Sequence, residues 1–244
     1  MTIEKTILNQ LATNDEYARK VLPFLKEEYF SDYSFRTVYK LIDTYINDYN
    51  NVPSKQALLI ELDKVEKLSD DVYKGSKAIV SDFSTEDVDM QWALDNTEKF
   101  CKDKAVYNAV NRVKNDATKL LVPGTLWAEY HVEVGKLMTS ELLGLGLIDK
   151  ADVQNENPDW PAYKKYFMHG TSHHMGLDTH DYGLLHEPMQ ANMVFTVEPG
   201  IYIPQEGFGI RLEDDVVIQA NGEPFNLMRN IPIESDEIES LMNK

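Results

Sequence analysis

The stretch Phe167–Asp181, F-M-H-G-T-S-H-H-M-G-L-D-T-H-D, decides how the rest of the chain is read. It carries His169, His173, His174 and His180, four of the six histidines in 244 residues. Two later segments are its natural companions: V-F-T-V-E-P-G-I-Y-I at Val194–Ile203 and G-I-R-L-E-D-D-V-V-I at Gly209–Ile218. Both are apolar and β-branched with acid at the middle, a composition that predicts buried strands. A buried carboxylate is costly without a partner, so Glu198 and Glu213 each call for an arginine, a histidine or a metal. Side chains alternate along a strand, which puts Arg211, Glu213 and Asp215 on one face and Ile210, Leu212 and Asp214 on the other. Pro199-Gly200 is expected to bend its strand and aim Glu198. On the residues alone, an ion pair with Arg211 and a metal site are both open.

These three segments, in this order, resemble the C-terminal part of Xaa-Pro aminopeptidase (aminopeptidase P), a pita-bread metallopeptidase. The resemblance runs over residues 104–244. It implies a metallo-aminopeptidase that releases an N-terminal residue preceding proline, with a peptide carrying proline at its second position as partner. Two divalent ions, usually Mn2+, activate the attacking water in that family. His173, Glu198 and Glu213 match its histidine and glutamate ligands. His180 and Glu198 match catalytic positions, the imidazole stabilising the developing oxyanion and the carboxylate handling the proton. His169, His180 and Arg211 match residues that line the substrate site, and Arg211 can also brace the carboxylates. His174 should point away from His173 and has no implied role. The family's site needs two further aspartates, carried on strands upstream of the helix matching Lys104–Leu121. No Asp-bearing strand is legible there, so at most one ion and weak or no activity are expected.

Residues 1–103 read as helices. Ile3, Ile7, Leu8 and Leu11 share a face, as do Phe35, Val38, Tyr39, Ile42, Tyr45 and Ile46. Ser54 is a natural N-cap for Lys55–Val65, with Leu58, Leu59, Leu62 and Val65 as its buried stripe. A further helix is expected over Asp70–Ser81. A long one opens at Ser84-Thr85-Glu86-Asp87 and runs through Trp92, Phe100, Tyr107, Val110 and Val113 to Leu121, with Pro123-Gly124 ending it. The helix order, with E-Y-F-S-D near Glu28, N-N-V-P-S near Asn51 and N-T-E-K-F near Asn96, resembles the N-terminal helical domain of phage replicative DNA helicases. That resemblance implies the alternative function, a non-enzymatic module that self-associates and binds a primase or another replication partner. No G-x-x-x-x-G-K-[ST] phosphate loop occurs in the chain. The two resemblances meet near Lys102–Val110 with no Gly/Ser/Pro linker. The fold class is α+β, an all-α domain at 1–103 followed by the C-terminal half of a pita-bread domain at 104–244.

Beyond the histidine stretch, a helix is expected over 125–143, with Val132, Val134, Leu137, Met138 and Leu142 among its apolar positions. The polar run 150–159 reads as a loop, Trp160–Tyr166 as a short helix, and Asn221-Gly222 as a turn between Val216–Ile218 and Phe225–Leu227. The formal charge of −17 carries no basic footprint for nucleic acid, so no direct nucleic-acid binding is expected. Cys101 is the single cysteine and excludes an intrachain disulfide. With no apolar run near the ~20 residues of a membrane span and no signal-like apolar core, the expected address is the cytoplasm, away from membranes.

Overall fold

The computed structural model describes residues 2–30, 32–85, 88–233 and 235–242. The chain divides into two units, Met1–Lys104 and Ala105–Lys244.

Among its described residues the first unit contains only helices: α1 (Ile3–Thr13), α2 (Asp15–Val21), α3 (Tyr33–Tyr49), α4 (Lys55–Asp63), α5 (Asp70–Ser81) and the start of α6 (Met90–Leu120). Local capping explains where they begin. Thr2, Asn14, Asp32, Ser54 and Ser69 each accept a backbone N–H from the first turn of α1 to α5, satisfying donors that a helix start leaves orphaned. Asn50 ends α3 in the left-handed conformation, φ 52°, which asparagine tolerates. Helix α3 packs on α1, α4 and α5, burying Val38, Tyr39 and Ile42, while Phe30 stacks on Tyr39 at 5.0 Å.

Two expectations need correction here. The stripe on α4 stops at Leu62, because the helix ends at Asp63 and leaves Val65 exposed. Helix α6 opens at Met90, with Asp89 accepting from the Trp92 amide, so Trp92 falls in an uncovered first turn. Glu86 and Asp87, the acids assigned to that first turn, lie outside the described residues. Helix α6 is otherwise unbroken through Lys102–Val113.

In the second unit, Val106, Val110, Val113, Ala117 and Leu121 of α6 form one buried stripe at helical spacing. Helix α7 (Trp127–Gly144) supplies Tyr130, Val134, Met138 and Leu142, four apart along a second stripe. Val132 falls off that stripe and is exposed. The run 150–159 is not all loop: Asp149 and Asp152 form a reciprocal cap that starts a short α8 (Lys150–Gln154). A 3-10 turn follows at Ala162–Lys165.

The strands are β1 (Val194–Val197), β2 (Gly200–Ile203), β3 (Phe208–Arg211), β4 (Asp214–Val217) and β5 (Phe225–Asn226). They form an antiparallel sheet in the order β1-β4-β5 and a separate β2-β3 hairpin. Each expected strand is therefore two strands, interrupted at Glu198-Pro199 and at Leu212-Glu213. The register nevertheless continues across the gap. Val197 pairs with Asp214 and Gly200 with Arg211, so Glu198 stands opposite Glu213 and Pro199 opposite Leu212. Two facing carboxylates and a proline without an N–H are poor ladder material; only the Leu212 N–H to Pro199 carbonyl bond, 3.3 Å, bridges the gap.

The histidine stretch adds an unlabelled edge to this sheet. Met175, Thr196 and Glu198 amides bond the carbonyls of Val194, His173 and Thr171, an antiparallel run along β1 that includes the His174–Phe195 bridge. Alternation then sorts the side chains. Phe195, Val197, Asp214, Val216 and Ile218 enter the helix-covered core, and all of them are buried. Thr196, Glu198, Glu213 and Asp215 belong to the opposite face.

Candidate active site

Two adjacent rows cross the sheet on its open face. One is His173–Thr196–Asp215, the other Thr171–Glu198–Glu213, as the register of the edge segment with β1 and of β1 with β4 requires. His173 and Glu198 touch: Nε2 lies 3.3 Å from Oε1. The Arg211 guanidinium lies between the two glutamates, Nη1 3.5 Å from Glu198 Oε2 and Nη2 3.7 Å from Glu213 Oε2. Burial, then the neighbouring Glu198 carboxylate, pushes the Glu213 carboxyl above its ordinary range. Asp215 is likewise pushed up, by burial and then by Asp214. A cluster of negative groups that raise one another is a place where a cation gains most.

The donor set suits a divalent ion. His173 Nδ1 lies 2.9 Å from the His174 carbonyl. A carbonyl can only accept, so Nδ1 carries a proton, the arrangement that frees Nε2 for a metal. Nε2 and two carboxylates are ligands for manganese, zinc or iron. Among the described residues no three His, Cys, Asp or Glu side chains are already close enough to form a metal-binding group: His173 and Glu198 are in contact, while Arg211 occupies the space between Glu198 and Glu213.

His180 is exposed, with its ring 4.2 Å from that of His173. His169 holds the Gly170 carbonyl through Nδ1 and the Tyr202 hydroxyl through Nε2, each at 2.8 Å. Burial pushes the Tyr202 phenol up, against the lowering influence of the neighbouring Arg211 guanidinium. His169 and Tyr202 thus form one contact at the edge of the site, and Arg211 joins both glutamates. His174 faces the core, its ring 4.3 Å from Phe195 and 6.2 Å from Trp127 in a cluster of three rings, and burial pushes its imidazole down. The His131 ring lies against Trp127, with ring centroids 4.6 Å apart.

Sequence reading missed four supporting residues. Tyr202 lies four positions after Glu198 and so belongs to the strand's same alternation, a signal that was present. Thr196, two before Glu198, carried the same signal. Thr171 is buried with its hydroxyl unpartnered. Lys114 on α6 forms a buried ion pair with Asp214, a pairing across 100 residues that no local pattern reveals.

The profile described as Metallopeptidase family M24 matches residues 70–220. The Xaa-Pro aminopeptidase of Escherichia coli (strain K12) is 38% identical over 151 residues, covering 57% of this chain and 34% of that protein. The solved structure of proline aminopeptidase P II from Yersinia pestis is 38% identical with a TM-score of 0.50, covering 58% of this chain and 35% of that one. A DnaB-like replicative helicase of Enterobacteria phage T4 is 30% identical over 117 residues, covering 48% of this chain and 24% of that protein. The chain spans about a third of the length of the aminopeptidases it matches. With its profile matching well over half of the residues, the chain belongs to metallopeptidase family M24.

Proposed function

We propose that the second unit is the C-terminal half of a pita-bread domain and that its open face is the metal side of an Xaa-Pro aminopeptidase site. The observation that carries this reading is the register that sets Glu198 against Glu213 with His173 Nε2 at 3.3 Å from Glu198. His173, Glu198 and Glu213 would hold the cation, with manganese the expected ion and the cytoplasm the expected setting. When bound, the ion supplies Lewis acidity and lowers the pKa of a bound water. Glu198 takes the proton from the attacking water at a carboxylate oxygen and returns it to the leaving amine. His180, exposed beside His173, donates to the oxygen of the scissile carbonyl as negative charge develops there. His169 and Tyr202 orient the substrate's end, and Arg211 braces the two glutamates through its contacts at 3.5 and 3.7 Å.

The family's second ion needs two aspartates from strands. The described residues before Ala105 include no strand, so we propose one cation and slow turnover. Hydrolysis of an Xaa-Pro dipeptide in excess Mn2+ tests the reading against Glu213→Ala. Slow manganese-dependent cleavage that the substitution abolishes is expected; equal cleavage by both proteins overturns the assignment.

A second reading is favoured by the helicase similarity together with the helical first unit. In it, residues 1–103 form a helicase N-terminal-type module that self-associates and binds a replication partner. Light scattering across a concentration series should then give a discrete oligomer. A monomer at all concentrations contradicts it.

A further inference from the structure

We propose that Thr196 is a positioning residue that aims Glu198 and His173 at one divalent cation; the inference rests on the cation reading above. Thr196 is 2% exposed and sits in the sheet between His173 and Asp215. Its hydroxyl makes two contacts, to the His173 amide at 3.1 Å and to Glu198 Oε1 at 3.4 Å. A hydroxyl has one proton and accepts through its lone pairs. The His173 N–H must donate, so Thr196 Oγ1 accepts there, and its single proton is left for the carboxylate, which can only accept. The direction of the relay is thereby fixed: His173 N–H to Thr196 Oγ1, Thr196 O–H to Glu198 Oε1.

That oxygen is the one facing His173 Nε2 at 3.3 Å. One hydroxyl therefore ties the backbone of one proposed ligand to the carboxylate rotamer of another. Threonine suits the task because its β-branch leaves χ1 few choices in a strand, so the hydroxyl arrives already oriented. One row away, Glu198 is bracketed by Thr171, whose carbonyl accepts the Glu198 amide at 2.7 Å. The Thr171 hydroxyl is buried and hydrogen-bonded to nothing among the described residues. The Thr196 hydroxyl is thus the one that engages the Glu198 carboxylate and fixes its geometry. Partners of this kind, one step removed from the ion, typically change metal affinity by about 10–100-fold when removed.

The experiment compares the full chain with Thr196→Val, which keeps the branched shape and removes the hydroxyl, and with Thr196→Ser, which restores it. Mn2+ affinity is read by isothermal titration calorimetry, and folding by circular dichroism and the thermal midpoint. The expected result is Mn2+ binding weakened by about 10–100-fold in the valine variant and restored to within about threefold in the serine variant. Because a general loss of folding would also weaken binding, hydrogen exchange at the His173 amide in metal-free protein supplies a second readout. It should accelerate in Thr196→Val alone. Equal Mn2+ affinity in wild type and Thr196→Val, with unchanged His173 exchange, overturns the positioning role and leaves the cation reading standing. Absence of Mn2+ binding by the wild type overturns the cation reading and this inference with it.

Discussion

Replacing Lys114 with methionine should destabilise the second unit far more than a surface charge loss would. The Lys114 and Asp214 side chains are 4% and 7% exposed. The pair sits under α6 on the core face of β4, among Val110, Val113 and Val216. Removing the ammonium leaves a carboxylate where water cannot reach it, a change that costs about 3–5 kcal/mol. At roughly 2–4 °C per kcal/mol for a chain of this size, the thermal midpoint should fall by roughly 6–20 °C. Adding Asp214→Leu should recover most of the loss, because an apolar pair of similar volume is often neutral or better in such a place. Differential scanning calorimetry of wild type, both single variants and the double variant closes the cycle. A single-variant loss below about 1 kcal/mol, the range of exposed pairs, would refute the claim that the pair is desolvated. The pair also has a functional corollary. It commits Asp214 to the core, and alternation then commits its neighbours Glu213 and Asp215 to the open face.

Two further substitutions probe the site's frame. Gly183→Ala places a methyl group onto the His174 ring, so it should displace that imidazole from its contacts with Phe195 and Trp127 and cost about 1–3 kcal/mol of stability in urea unfolding. Tyr202→Phe removes the hydroxyl that His169 engages at 2.8 Å; kcat/KM for an Xaa-Pro dipeptide should drop about 2–10-fold, the worth of one hydrogen bond of about 0.5–1.5 kcal/mol, with the thermal midpoint nearly unmoved.

What the sequence makes legible follows from the range of the interaction involved. Helices α1, α3 and α5 announce themselves through local pattern and through the caps Thr2, Asp32 and Ser69, which act over two or three residues. The order of the histidine stretch, Glu198 and Glu213 is equally plain, because Glu198 interrupts an apolar run and Glu213 opens an acidic triplet between apolar residues. Helix α2 escaped because seven residues give barely two turns of period, although Asn14 caps it. Helix α8 depends on the reciprocal Asp149–Asp152 cap within a run whose polarity otherwise suggests a loop. The interruptions at Glu198-Pro199 and Leu212-Glu213 arise from two carboxylates meeting across strands, so each segment read singly looks continuous. Lys114 belongs to the same class: a lysine on a helix reads as solvated until its partner is known to lie beneath it. Trp92 and Val65 show the reverse error, apolar residues at the right phase beyond the point where anything covers them.

The most direct test is a Mn2+ titration of the purified chain followed by electron paramagnetic resonance, repeated with His173→Ala and Glu198→Gln. One tightly bound equivalent in the wild type, lost in both variants, is the result expected if the open face of the sheet is a metal site. Binding that neither substitution weakens, or no bound Mn2+ in the wild type, would contradict it.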